Sequence, residues 1–294
     1  ESSESILKQE IKTNSISVTN FSVGLIVFTI LIQLVMVIDD LWNIKESNKL
    51  IIQAICVLGL ILFSDVYITS LGNLLGFGEI QLGFFGIPFT IFCIVGMMNA
   101  FNYIDGLNGL CASFSLVCLT SIIAIVNAFN SPNLLPLILP AGAIVGFLMY
   151  NLGIFGDQRN VFLGDNGSQA LGFLCLWILV YFSQFDSYGF SPVTALWLVA
   201  ILFMDAVRVL LTRIISGLRG SNIFKAKRDH IHHKLQDYGF SNELVYSVLI
   251  LSTVSLSALG IFLNRIFLES HYYSFYTFII LWICFHIICL LYTS

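Results

Sequence analysis

Nine long apolar stretches separated by short polar segments dominate the chain, roughly over 20–38, 50–70, 84–102, 107–129, 134–155, 165–185, 191–214, 243–264 and 272–293. A helix needs about 20 mostly apolar residues to cross the hydrocarbon core of a bilayer, and these stretches meet or approach that length. Their apolar residues run continuously, whereas barrel strands need strict alternation. They also show little one-sided polarity, as suits helices that touch both lipid and one another. The pattern predicts an all-α fold: a polytopic transmembrane helical bundle of nine helices, one domain over 20–294, preceded by a polar tail over 1–19. Two stretches carry charge. The second has Asp65 near its end, and the seventh holds Asp205, Arg208 and Arg213.

Composition narrows the function classes. The chain is 57% hydrophobic and only 10% charged, whereas a soluble domain spends about a quarter of its residues on charge. Disorder requires the opposite balance. With 13 basic residues against 17 acidic ones and a net charge of −4, the chain has no general basic surface for nucleic acid. The seven cysteines all lie in apolar runs, where small buried thiols need no redox partner.

The distribution of charge sets the orientation. If the helices alternate in direction, the segments 39–49, 103–106, 155–165 and 214–242 share one side. With the adjoining end of the seventh helix they hold ten of the 13 Lys and Arg, all but Lys8, Lys12 and Arg265. The excess of basic residues makes that side cytoplasmic. The tail over 1–19 is then extracytoplasmic and the C-terminus cytoplasmic.

Four polar clusters sit at helix ends on this same side. Asp39 and Asp40 close an 18-residue apolar run. Adjacent carboxylates at a low-dielectric boundary repel, and a divalent cation held by oxygen ligands, Mg²⁺ or Mn²⁺, relieves the repulsion. An ordinary acidic helix end explains this pair equally well. Asn99, Asn102 and Asp105 follow at spacings of three, which stacks them on one helical face. Gly106 and Gly109 then permit close backbone approach before the next helix. Asp165, in the string Val161-Phe162-Leu163-Gly164-Asp165-Asn166-Gly167-Ser168, opens another helix. A carboxylate there serves as a metal ligand beside phosphate-binding amides or as a simple N-cap. The fourth cluster is the basic segment from Arg219 to Lys234, with Lys225, Lys227, Arg228, His230, His232 and His233. Its histidines suit metal ligation, acid–base work or phosphate contact. Zinc is disfavoured, because cysteines are not nearby and the i, i+4 histidine pair is missing. Carboxylates, Mg²⁺ and cations together are the components of phosphoryl transfer.

The strings IDDLWNI (38–44), NAFNYIDGLNGL (99–110), MYN (149–151), VFLGDNGS (161–168) and RDHIHHKL (228–235) together resemble the polyprenyl-phosphate N-acetylhexosamine-1-phosphate transferase family. The likeness is to its bacterial branch, similar to undecaprenyl-phosphate GlcNAc-1-phosphate transferases, in glycosyltransferase family 4. The resemblance implies transfer of HexNAc-1-phosphate from a UDP-HexNAc to undecaprenyl phosphate, with Mg²⁺ (Mn²⁺ as a substitute) and release of UMP. It also implies a multi-pass protein of the bacterial cytoplasmic membrane, its site facing the cytoplasm, at the first membrane step of O-antigen or related surface-glycan synthesis. A homodimer is compatible with it.

By the same resemblance Asp165 is the chief metal ligand, with Asp39 and Asp40 near the metal and the lipid phosphate. Asn99, Asn102 and Asp105 line the metal–nucleotide side. Asn108, Asn151 and Phe162 hold uridine, Phe162 by stacking. Arg228, His230, His232 and His233 bind diphosphate and sugar. Direct attack by the lipid phosphate, with Asp39 orienting or deprotonating it, and a covalent aspartyl-phosphate route use the same residues. The family has about two more helices ahead of the first one here, so the start at Glu1-Ser2-Ser3 without Met is expected to be that of a shortened chain. Asn43 and Asn108 stand where the family frequently has Asp, and Lys227 stands where it usually has Asp. Two rival readings use the same features, an ion-coupled transporter and an inactive remnant that binds lipid phosphate.

Overall fold

The computed structural model describes residues 2–42, 44–128, 134–156, 161–184, 190–218, 229–267 and 270–291, with the backbone alone for 2–18, 127, 128, 216, 218, 290 and 291. Among these residues the chain forms helices α1 (Ser2–Trp42), α2 (Glu46–Ser64), α3 (Gly86–Ile104), α4 (Leu110–Ala128), α5 (Leu135–Asn151) and α6 (Gly164–Gln184). They are followed by α7 (Pro192–Leu198), α8 (Ala200–Leu218), α9 (Ile231–Asp237), α10 (Asn242–Ile266) and α11 (His271–Leu291). The described residues contain no sheet, only an isolated bridge between Ser70 and Gln81.

Every expected apolar stretch carries a helix. Among the described residues six segments are long and apolar enough to cross a membrane: Thr19–Trp42, Glu46–Ser64, Gly83–Ile104, Gly164–Gln184, Asn242–Ile266 and His271–Cys289. The pair α7 and α8 makes a seventh if counted as one broken span, and α4 and α5 are shorter apolar helices. The protein is a polytopic helical membrane protein.

Three elements differ from the sequence expectation. The backbone helix of α1 continues from the apolar stretch through the polar tail to Ser2; residues 2–19 contain neither Pro nor Gly, so nothing in the chain stops helix propagation. Helix α2 ends at Ser64 instead of near 70, because Asp65 takes the left-handed conformation (φ 55°) and its N–H donates to Ile61 O. That single residue turns the chain out of the helix. The stretch 191–214 is two helices bent by 85° on either side of Val199. The break is fixed by what α7 touches. Ser191 and Thr194 both donate to Asn264 Oδ1, and Trp197 Nε1 donates to Ser274 Oγ at 2.9 Å. Gly260 of α10 leaves the space that the Trp197 side chain fills.

Helix α6 is the core of the bundle, buried at nearly every position from Ser168 to Phe182, as expected of a helix apolar all round. Against α3 the approach is close: a Cβ on Gly172 would lie 3.0 Å from Phe101 Cβ and 3.2 Å from Met98 Cα. Small residues serve this purpose in membrane bundles, where dispersion must supply most of the attraction. At the far end of α6, Gln184 clamps the segment that links α2 to α3: Oε1 accepts from Thr69 N and Ser70 N, and Nε2 donates to Ser70 O. All seven cysteines are free thiols.

Candidate active site at the shared helix ends

The C-terminal ends of α1, α3 and α5, the N-terminal ends of α2 and α6, and α9 gather at one end of the bundle. Asn102 Nδ2, on the last turn of α3, donates to Ser168 Oγ on the first turns of α6 at 3.1 Å. Asn151, at the end of α5, donates to Val161 O just before α6 at 2.6 Å. His232 of α9 lies over the turn after α3, where a Cβ on Gly106 would come within 2.6 Å of its Nε2. Gly109, in the same turn, has φ +76° and a Cβ position only 2.6 Å from Leu152 Cδ2, so both its backbone angle and its space require glycine.

The acidic residues divide into two groups. Asp105 caps α3, and Asp165 is the acid in the first turn of α6, near enough for its charge to act on Asp105. Burial, reinforced by the Asp165 charge, pushes the Asp105 carboxyl up to about 7. Two carboxylates in this relation fit a divalent cation, which removes both the desolvation and the repulsion. Asp39 stands apart from them. It is buried at the end of α1, with Oδ1 accepting from Ile44 N at 2.8 Å and Oδ2 paired with Lys49 Nζ at 2.7 Å. Asp40 is exposed. Neighbours on a helix point about 100° apart, and α1 runs past both residues to Trp42, so the structure does not bring the two carboxylates together. Among the described residues no three His, Cys, Asp or Glu side chains form a ready metal cluster; the Asp105–Asp165 pair is what they offer.

The amides also separate. Asn99 donates to Gln53 Oε1 at 2.9 Å and to Val95 O, and Gln53 donates in turn to Gln169 Oε1 at 2.7 Å. This buried chain ties α2, α3 and α6 together and uses Asn99 for packing. Asn151 is buried, and its Oδ1 has no hydrogen-bond partner, so it presents an acceptor. Asn108 is exposed, and Phe162, 72% exposed, stands just ahead of α6.

The three histidines do different things. His233 Nδ1 pairs with Gln236 Oε1 at 3.1 Å. The His232 ring is fully buried, 4.0 Å from that of His233. His230, at the N-cap of α9, is buried with its ring stacked on Tyr103 (centroids 4.9 Å, planes 27° apart) and its Nδ1 2.9 Å from Asp205 Oδ2. Arg228, Lys225, Lys227 and Asn43 lie outside the described residues.

Asp205 is the functional candidate that the motif reading missed. It is 2% exposed inside α8, and its Oδ1 takes Arg208 Nη2 at 2.7 Å and Ile231 N at 3.1 Å. Arg208 also donates to Asp229 O. The signal was present as an Asp and an Arg three apart in an apolar stretch, a pairing that intramembrane charges require.

Beside His230 an apolar cavity of about 550 Å³ runs between α3, α6, α7 and α8. At its far end are Leu71 and Pro192, and at its near end Tyr103, Arg213 and His230. Its wall on α3 extends from Phe89 to Tyr103, roughly 20 Å along the helix axis.

A sequence model described as glycosyl transferase family 4 matches residues 22–183, from the body of α1 to the end of α6. The chain belongs to that family. Among curated relatives, the undecaprenyl-phosphate alpha-N-acetylglucosaminyl 1-phosphate transferase of Escherichia coli (strain K12) is 34% identical over 226 residues, 76% of this chain and 60% of the relative. Proteins of the same name from Yersinia pestis and Haemophilus influenzae are each 31% identical over 83% of this chain, covering 64% and 68% of their own lengths. The chain thus spans about 60% of the length of the Escherichia coli relative. The family 4 match includes Asp39, Asp105 and Asp165 and ends ahead of Asp205 and His230, and the alignments to the relatives, at 226–250 residues, are longer than the family match.

Proposed function

We propose that this family 4 protein transfers HexNAc-1-phosphate from a UDP-HexNAc, in the first instance UDP-GlcNAc, to undecaprenyl phosphate at the cytoplasmic face of a bacterial cytoplasmic membrane. A phosphate oxygen of the lipid attacks the β-phosphorus, the bond from that phosphorus to the bridging oxygen breaks, and UMP leaves. The observation that carries this reading is the apolar cavity, whose charged end lies beside the last turn of α3, which Asp105 caps. Such a site takes a long apolar substrate at one end and phosphates at the other. The names of the curated relatives, which join undecaprenyl phosphate to N-acetylglucosaminyl 1-phosphate, support the same pair of substrates.

The roles follow from the placements. Asp165 and Asp105 would hold Mg²⁺, which would supply a Lewis acid for the diphosphate and neutralise charge on the departing UMP. The unpaired Asn151 Oδ1 is an acceptor for the imide N–H of uracil, and the exposed ring of Phe162 is a stacking surface for the same base. Asp39, with both oxygens engaged, orders the turn from α1 into α2 and directs Lys49. The transporter reading calls for acidic residues near the middle of the bilayer, whereas Asp39, Asp40, Asp105 and Asp165 lie at helix ends.

The direct test is UMP release from UDP-GlcNAc with undecaprenyl phosphate and Mg²⁺, using the full natural chain. Release that requires both substrates is expected. Lipid-phosphate binding without exchange of any UDP-HexNAc would leave the inactive-remnant reading instead. A finer test is Gly106→Ala, whose added methyl would meet His232 Nε2 at 2.6 Å. Displacing α9 by a fraction of an ångström to 1 Å costs up to about 10²-fold in rate. Turnover is expected to fall towards that level while the melting temperature changes little; unchanged turnover would remove α9 from the reaction.

A further inference from the structure

We propose that Arg213 and His230 form the seat for the phosphate of the lipid substrate, with Asp205 as the residue that positions His230. The proposal rests on the transferase reading and departs from the family resemblance at one point. There the histidines serve the nucleotide sugar as a group, whereas here His230, although its ring stacks at 6.3 Å on that of His232, lines the apolar cavity and His232 and His233 do not.

Four observations meet at this place. The cavity is apolar along its length, yet Arg213 and His230 line its near end. His230 is 7% exposed, and its Nε2 is buried without a hydrogen-bond partner. Arg213 Nε likewise has no hydrogen-bond partner, and Asp229 Oδ2 is 3.8 Å from it, at the outer limit of an ion pair. Finally, Asp205 Oδ2 accepts from His230 Nδ1 at 2.9 Å while Tyr103 stacks on the ring, so the imidazole is fixed with Nε2 as its free nitrogen.

These are the requirements of a phosphate monoester on a single apolar chain. A guanidinium gives charge-assisted hydrogen bonds to phosphate oxygens. The Nε2 atom either donates to an oxygen as imidazolium or takes the proton of the monoprotonated phosphate, which leaves the oxygen with the full charge needed for attack. Nearby Arg208 and Asp205 neutralise one another, as Arg213 and Asp229 partly do. The apolar length next to the seat commits the occupant to a prenyl or similar chain.

The experiment compares binding of C55 polyprenyl phosphate, the matching polyprenol and UDP-GlcNAc to the full chain in detergent, for the wild type, Arg213→Gln, His230→Gln and Arg213→Lys. Losing one charge-assisted hydrogen bond is expected to weaken polyprenyl-phosphate binding by about 10–100-fold. Affinity for polyprenol and for UDP-GlcNAc should not change, and Arg213→Lys should recover part of the loss. Loss of UDP-GlcNAc affinity with lipid affinity intact would assign the pair to the nucleotide and overturn the proposal. A parallel loss of polyprenol affinity, which reports damaged packing, or equal displacement of the lipid by phosphatidylglycerol would also overturn it. If the wild type releases UMP but the variants bind polyprenyl phosphate normally, the seat fails and the transferase reading stands. A wild type that neither turns over nor binds the lipid phosphate sinks both.

Discussion

Asp165→Asn is expected to lower the rate of UMP release by about 10³-fold or more, because a metal Lewis acid contributes several kcal/mol of charge stabilisation to the transition state. The substitution is close to isosteric and sits on an exposed first turn of α6, so the fold should be unaffected. What changes is the local charge: Asp105 loses the neighbour that, after burial, raises its proton affinity, and the pair loses most of its attraction for a divalent cation. The measurement is initial rate against Mg²⁺ concentration, with thermal stability recorded with and without the ion. In the wild type Mg²⁺ should raise the melting temperature, by the linkage between binding and folding, and in Asp165→Asn it should not. A variant that keeps a tenth of the wild-type rate, or that Mg²⁺ stabilises as well as the wild type, would take Asp165 out of the metal site.

Asp205→Ala is expected to cost about 3–5 kcal/mol of stability, the usual consequence of removing one member of a buried ion pair and leaving the other uncompensated. The mechanism is specific. Arg208 loses the acceptor of its Nε and Nη2, His230 loses the partner of its Nδ1, and Ile231 N loses the acceptor that starts α9. All three groups lie in the same low-dielectric layer, where an unpaired donor is most costly. Asp205→Asn keeps an oxygen for one of these donors and should fall between wild type and Asp205→Ala. Denaturant unfolding in detergent gives the ordering directly. If Asp205→Ala is as stable as the wild type, the network described around it does not hold α8 and α9 together.

The helices were legible because a bilayer demands long apolar runs, and each run carries a helix. Their subdivisions were not. At Val199 the chain bends by 85° with neither Pro nor Gly; the cause is the surroundings of Trp197 and of Ser191 with Thr194, which involve α10 and α11. Helix α9 has only seven residues, too few for a periodic signal.

In the site, the common helix end followed from helix counting, and Asp105 and Asp165 lie close enough there for the charge of one to act on the other. The finer groupings failed for geometric reasons. Residues three apart drift by about 60° around a helix, so over two such steps Asn99 turns to Gln53 while Asp105 turns to Asp165. Asp39 and Asp40 diverge because α1 continues beyond them. The pairing of Asp205 with His230, 25 residues apart across two elements, has no spacing rule to reveal it.

The cavity beside α8 also determines how its occupant is counted. It is walled by apolar side chains over most of a helix length, so the lipid substrate proposed above would reach it by lateral diffusion from the hydrocarbon layer and not from bulk water. The relevant concentration is then two-dimensional, a mole fraction among the surrounding lipids. Adding inert lipid or detergent at a fixed total amount of substrate dilutes the substrate at the protein, although its nominal molarity is unchanged.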